Sequence, residues 1–177
     1  MKTLWAPWRM DYLRGDVDPV TGCLFCINID KAPSVENLII YKGDHTFVML
    51  NKYPYSNGHL LIAPIAHLSS IDELSEAAVT ELAIITQVCV KTLRCEYNPD
   101  GFNIGVNMGS AAGAGVPDHV HTHVLPRWSG DTNFMTSIAE TRVLPEEIGA
   151  TYIKLQKTLV QIVGKRQMSN KWKRGYI

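Results

Sequence analysis

His119, His121 and His123, in "GVPDHVHTHVLPRW", pack as many imidazoles into five residues as the rest of the chain holds. Imidazole changes charge near neutral pH, and its neutral form serves both as a nucleophile and as a metal ligand. On a β-strand the three would project from one side, with Val120, Thr122 and Val124 turned to a core. A rise of about 3.3 Å per residue would set the Cα atoms of His119 and His123 roughly 13 Å apart. Neighbouring pairs could then share a small ligand, whereas gathering all three on one ion would strain the strand. Taken alone, the row leaves open a metal clamp, a nucleophile with helpers, or a polar strand surface. The glycine-rich run just before it, "GSAAGAG", frees backbone N–H groups to approach an anion closely. The loop and the imidazole row together point to phosphoryl or nucleotidyl chemistry.

A second group lies near the amino terminus, where "GCLFC" sets Cys23 and Cys26 at C-x-x-C spacing. A thioredoxin-like redox pair belongs at a helix start in a βαβ context, which the flanking sequence does not offer. The spacing suits half of a tetrahedral zinc site, yet no second C-x-x-C follows. Cys89 and Cys95 fall inside a helical pattern and read as small buried apolar residues. The missing ligands must then be histidines. Of the six histidines, His67, after a strand-ending "AP", and His119, at the start of the histidine strand, are the best positioned, and a Cys2His2 set would be a closed structural site.

The elements that must position these groups are legible from periodicity. Strands are predicted at about 37–42 and 46–51, joined by a turn with Gly43 and Asp44, then at 58–64, 101–107 and 119–126. A helix is predicted from Ile71 to about Tyr97, with Ser70 as cap and Asp72 and Glu73 in its first turn. Pro145 and the two glutamates after it open a last helix to about Met168. The hairpin and short returns favour antiparallel pairing. The fold class is α+β: about five antiparallel strands, a long helix packed on them, and a C-terminal helix.

Bulk properties restrict the partners. The chain has 177 residues, 46% of them hydrophobic, and 17 basic residues balance 17 acidic ones, so no overall footprint for nucleic acid is present. No apolar run approaches a membrane span, and "MKTLWAPWRMDYLRG" lacks the apolar stretch of a signal peptide. The sequence therefore reads as cytoplasmic, one domain over 1–177. Residues 1–30 form an arm with Trp5 and Trp8 plus the C-x-x-C segment, and 140–177 form the C-terminal helix and tail.

"HVHTHVLP" resembles the signature of the histidine triad (HIT) family, and the likeness extends to "LNKYPYSNGHLLIAP" and "VNMGSAAGAGVPDH". "LWAPWRM", "GCLFC" and "PRWSGDTNFM" resemble a bacterial branch close to diadenosine tetraphosphate phosphorylases and related hydrolases. The resemblance implies a HIT-like fold and cleavage of dinucleoside polyphosphates or related nucleotide conjugates. By it, His121 is the nucleophile that forms a nucleotidyl-histidine intermediate. His123 donates to phosphate or bridging oxygen, and His59 orients the triad from behind. Asn51 matches a ribose contact and Asn107 a phosphate or leaving-group contact, while Gly113, Ala114, Gly115 and Val116 offer backbone donors to the phosphate. In zinc-containing relatives the ligands match Cys23, Cys26, His67 and His119. The family's usual assembly is a homodimer, and Trp128 is placed to stack on a base or a partner, or to pack in the core. One departure is a loop one residue longer than in shorter-looped relatives, with no polar side chain near Ala114 or Gly115. The alternative from another class is a nucleotide-binding sensor or interaction module without catalysis.

Overall fold

In the computed structural model, residues 22–131 and 146–174 are described, side chains through 166. The amino-terminal arm with Trp5 and Trp8, the helix-opening Pro145 and the last residues of the tail lie outside them. A short helix α1 (Cys26–Ile29) precedes strands β1 (Ile39–Lys42), β2 (Thr46–Leu50) and β3 (Leu60–Pro64). Helix α2 (Glu76–Tyr97), strands β4 (Gly101–Val106) and β5 (Thr122–Arg127), and helix α3 (Ile148–Arg174) follow. The five strands form one sheet in the order β1-β2-β3-β5-β4, antiparallel at every step. The expected architecture is therefore observed. Among the described residues no helix is long and apolar enough to cross a membrane.

Every residue of β2 and β3 is buried, because both faces of the sheet's centre are covered. On one face Ile40, Val48, Leu50, Leu60, Ile62 and Val124 meet Val88, Cys89 and Leu93 of α2 and Tyr152, Leu155 and Leu159 of α3. On the other, Ile39, Phe47, Met49, Leu61 and Ala63 gather beneath Phe25, beside α1. A side chain's face follows from its parity along the strand. That parity puts His123, paired with Leu61 across β3 and β5, on the Phe25 side.

Beyond shifts of a few residues at strand ends and at both ends of the last helix, three features differ from the sequence expectation. The helix predicted from Ile71 is divided: a 3₁₀ turn (Ile71–Glu73) closed by a Ser70–Glu73 capping box, then extended Leu74, then α2. Ser75 supplies a second cap, its hydroxyl accepting from Ala78 N–H at 3.2 Å. Two Ser caps five residues apart each satisfy a separate set of orphan N–H groups, so the chain starts its helix twice. Cys95 is exposed rather than buried, while Cys89 is buried. A six-residue step turns about 600° at 100° per residue and carries Cys95 off the buried stripe. Strand β5 begins at Thr122 and not at His119, because β3 pairs only with Thr122 to Val124.

Helix and hairpin are latched together at the β1–β2 turn. The Glu81 carboxylate of α2 accepts from His45 N–H at 3.1 Å, Thr46 N–H at 2.8 Å and the Thr46 hydroxyl at 2.7 Å. A Cβ on Gly43 would stand 2.2 Å from Glu81 Oε1, so only glycine leaves room for this latch. Gly58 meets a comparable constraint next to His59. It has φ +75°, and a Cβ there would lie 2.9 Å from Leu93 Cδ2 and 3.2 Å from Tyr97 Cε2. The glycine lets the backbone lie against α2 while His59 turns to the opposite face.

Gly58→Ala combines a strained backbone with a core clash, and should cost about 2 kcal/mol. Urea unfolding should show a lowered midpoint at unchanged slope. Gly101→Ala, where an added Cβ meets nothing within 4 Å, is expected to be neutral or slightly stabilising.

Candidate functional site: a histidine cluster beside a Cys2His2 knuckle

The segment from His119 to His121 is held in a bend rather than on the strand. Val120 N–H donates to Leu68 O at 2.7 Å, and the His119 carbonyl turns inward to the His121 ring, at 2.9 Å from Nδ1. A carbonyl can only accept, so Nδ1 of His121 carries the proton. The neutral ring then keeps its lone pair on Nε2. Burial holds the His121 imidazole below the ordinary histidine value, with the carbonyl bond pulling the other way. The result is a neutral imidazole with one nitrogen available as a nucleophile.

His123 and His59 form a second pair. His59 Nε2 lies 2.9 Å from His123 Nδ1, and the His121 and His123 rings are 4.9 Å apart between centroids. His59 is fully buried where the chain enters β3. Its Nδ1 receives Tyr55 N–H at 3.2 Å and faces Asn51 Nδ2 at the same distance. Three of the sequence-predicted site residues, His59, His121 and His123, are thus brought together, with Asn51 behind them.

Two aromatic residues that sequence reasoning missed frame this cluster. Phe25 is buried with its ring centroid 4.9 Å from both His119 and His121. Tyr55 lies 4.9 Å from the His59 ring and stacks on His123 at 6.2 Å and 17°. A usable signal existed for Phe25, the aromatic enclosed by the two cysteines. Tyr55 carried a weaker one, its place between Pro54 and Gly58-His59.

Cys23, Cys26, His67 and His119 converge, one ligand atom of each lying within 4.8 Å of the others. His119 Nδ1 is 3.3 Å from Cys23 Sγ and 3.6 Å from Cys26 Sγ, and His67 Nδ1 is 3.2 Å from Cys26 Sγ. Tetrahedral bonds of about 2.3 Å to sulfur and 2.0–2.1 Å to nitrogen would separate S and N by roughly 3.6 Å. The donor set therefore fits a borderline-soft divalent ion such as zinc. His119 Nε2 donates to Pro64 O at 2.9 Å, which aims Nδ1 at the cysteines in the manner of an oriented metal-binding histidine. Burial, followed by a side-chain hydrogen bond with Cys23, raises the Cys26 thiol.

The phosphate-loop candidates follow β4. Gly109 and Gly113, with φ of +77° and +81°, bracket a 3₁₀ turn (Ser110–Ala112). Gly113 N–H donates to Ser110 O at 3.0 Å and Ala114 N–H to Gly109 O at 3.4 Å, so both are engaged within the loop. Gly115 is exposed, and Val116 is half-buried against the Phe25 cluster. Asn107 sits half-buried just after β4. Trp128 is half-buried and donates from Nε1 to Tyr97 O at 3.2 Å, which ties it to the end of α2.

The family model for the HIT domain matches residues 32–130. The AP-4-A phosphorylase of Mycobacterium tuberculosis is 34% identical over 152 residues, which cover 82% of this chain and 78% of that protein. The bis(5'-adenosyl)-triphosphatase of Saccharomyces cerevisiae is 28% identical over 95 residues, 53% of this chain and 46% of that one. Among solved structures, a zinc-bound histidine triad family protein from Mycobacterium smegmatis superposes with a TM-score of 0.65 at 26% identity, covering 81% of this chain and 97% of its own.

Cobalt(II) added to the metal-free protein should produce the thiolate charge-transfer and tetrahedral d–d absorption of a Cys2His2 site, saturating near about one equivalent. Cys26→Ser should weaken or abolish both features. Unchanged spectra in that variant would place the ion elsewhere.

Proposed function

The chain belongs to the histidine triad family, and from that premise we propose that it cleaves dinucleoside polyphosphates or related nucleotide conjugates at the α-phosphate. Diadenosine tetraphosphate is the representative substrate, and His121 is the nucleophile. The observation that carries this reading is the bond from His121 Nδ1–H to the His119 carbonyl, which leaves the Nε2 lone pair on a buried, neutral ring. In the first step Nε2 attacks the α-phosphorus. The N–P bond forms as the P–O bond to the leaving phosphate chain breaks, and His123 supplies a proton to the departing oxygen. In the second, water or inorganic phosphate attacks phosphorus, the P–N bond breaks, and the acceptor's proton returns to His123. Dividing the displacement in this way replaces one difficult step with two easier ones.

Other parts of the site have supporting roles in this reading. Backbone from Gly113 to Val116 receives the phosphates; there Gly113 and Ala114 exchange their intraloop bonds for charge-assisted ones. Asn51 meets the ribose and Asn107 the phosphate or leaving group. Zinc at Cys23, Cys26, His67 and His119 supplies a structural cross-link, because all four of its positions would be filled by protein. The partner is a second copy of the chain: β4 is a sheet edge, with Ile104 49% exposed on it.

His121→Asn should lower kcat by about 10⁴-fold or more while fold and metal content are retained. Brief incubation of the wild type with radiolabelled diadenosine tetraphosphate should trap an acid-labile adenylyl group on the protein, absent from the variant. Binding of mononucleotide with neither turnover nor trapped label would instead make the protein a sensor. ADP with ATP formed only in the presence of phosphate identifies a phosphorylase, and AMP with ATP formed without it a hydrolase.

A further inference from the structure

Asn51 makes two hydrogen bonds that leave its carboxamide a single orientation. Tyr53 N–H donates to Oδ1 at 2.9 Å, and a backbone N–H cannot face the amide nitrogen. Nδ2 therefore carries its protons toward His59 Nδ1, 3.2 Å away. The same Nδ1 also receives Tyr55 N–H at 3.2 Å. A ring nitrogen facing two donors must be the unprotonated one, so a neutral His59 holds its proton on Nε2. That proton points at His123 Nδ1, 2.9 Å away, which must then accept. A neutral His123 is left with its own proton on Nε2.

We propose that Asn51 is a positioning residue that sets the proton order of the His59–His123 pair: its amide donates to His59 Nδ1, His59 Nε2–H donates to His123 Nδ1, and His123 presents Nε2–H as the donor. This goes beyond a ribose contact, since the amide acts on protein protons before any ligand arrives. The backbone reinforces it: Asn51 N–H donates to His59 O at 3.0 Å, so the two residues are cross-linked by main chain and side chain alike. The consequence for catalysis rests on the nucleotidyl-transfer reading above. The proton order itself does not.

The test is a long-range ¹H–¹⁵N correlation spectrum of the histidine rings in the full-length, ligand-free protein. It is recorded at about pH 8.5, some two units above the ordinary histidine pKa. In the wild type, His59 and His123 should each show an unprotonated Nδ1 and a protonated Nε2. Asn51→Asp puts an acceptor where the donor was, and His59 Nδ1 should move toward the protonated range. Asn51→Ala removes one of the two donors and leaves Tyr55 N–H in place, so both rings should shift only partway toward mixed tautomers. With diadenosine tetraphosphate, Asn51→Asp should lose about 10- to 100-fold in kcat, the range seen when an orienting partner is removed. Its KM should change by less than about threefold, because a carboxylate still accepts bonds from ribose hydroxyls.

A wild-type His59 protonated on Nδ1 overturns the proposal without recourse to any variant. So do unchanged ring signals in both variants, or a loss confined to KM with kcat intact. A wild type that shows the expected ring signals yet turns over no dinucleoside polyphosphate overturns the functional reading instead, and leaves the proton order standing.

Discussion

His119 is held at both ends, and the rest of the site depends on it. Its side chain joins Cys23, Cys26 and His67, and its carbonyl fixes the protonated nitrogen of His121. One residue therefore connects the amino-terminal knuckle to the proposed nucleophile, His121, through its own side chain and backbone and one hydrogen bond. A shift of the knuckle moves the carbonyl, and a carbonyl out of line lets the His121 proton choose either nitrogen. A metal held by all four ligands would contribute folding energy directly, and would apply it at the residue whose carbonyl fixes the His121 proton.

Packing makes the same connection through apolar contact. Phe25 is enclosed by the cysteines in sequence, and its ring meets both His119 and His121. Beneath it lie Phe47, Met49, Leu61 and Ala63, the sheet face turned away from the long helices. Withdrawing His121 from water on this face disfavours the imidazolium. The two sheet faces thus divide the work. One buries α2 and α3 and supplies most of the core, and the other holds the polar cluster against a small aromatic lid.

Periodicity was enough to read the five antiparallel strands and the two long helices, because α2 and the strands bury regular stripes of apolar residues. The Cys2His2 grouping was legible too, since C-x-x-C without a second pair restricts its partners to histidine. The geometry of the triad was not. Strict alternation suggested one strand face for His119, His121 and His123. The Leu68 carbonyl and the short β3–β5 pairing instead stop the strand at Thr122 and put the first two histidines in a bend. Those are contacts from residues more than fifty positions away, and local pattern carries no trace of them. Cys95 failed for a simpler reason: six residues is not a helical repeat. Tyr55 acts partly through its backbone N–H, which any residue but proline could provide, so its type could not announce that role.

Two histidines two residues apart are given opposite proton assignments by their surroundings. At His121 a carbonyl draws the proton to Nδ1, and the lone pair is left on Nε2. At His123 an imidazole N–H occupies Nδ1, and the proton of the neutral ring is left on Nε2. In solution both rings would sample both tautomers, and a pair of identical side chains could not be told apart by where the proton sits. The sheet removes that symmetry with one acceptor and one donor, each placed at the Nδ1 atom. For the proposed nucleotidyl transfer, ordering the protons beforehand would remove a reorganisation that otherwise falls within the reaction, which is the physical content of a preorganised polar site. Sequence type supplies two interchangeable imidazoles, and their roles diverge because a main-chain carbonyl stands behind one and His59 behind the other.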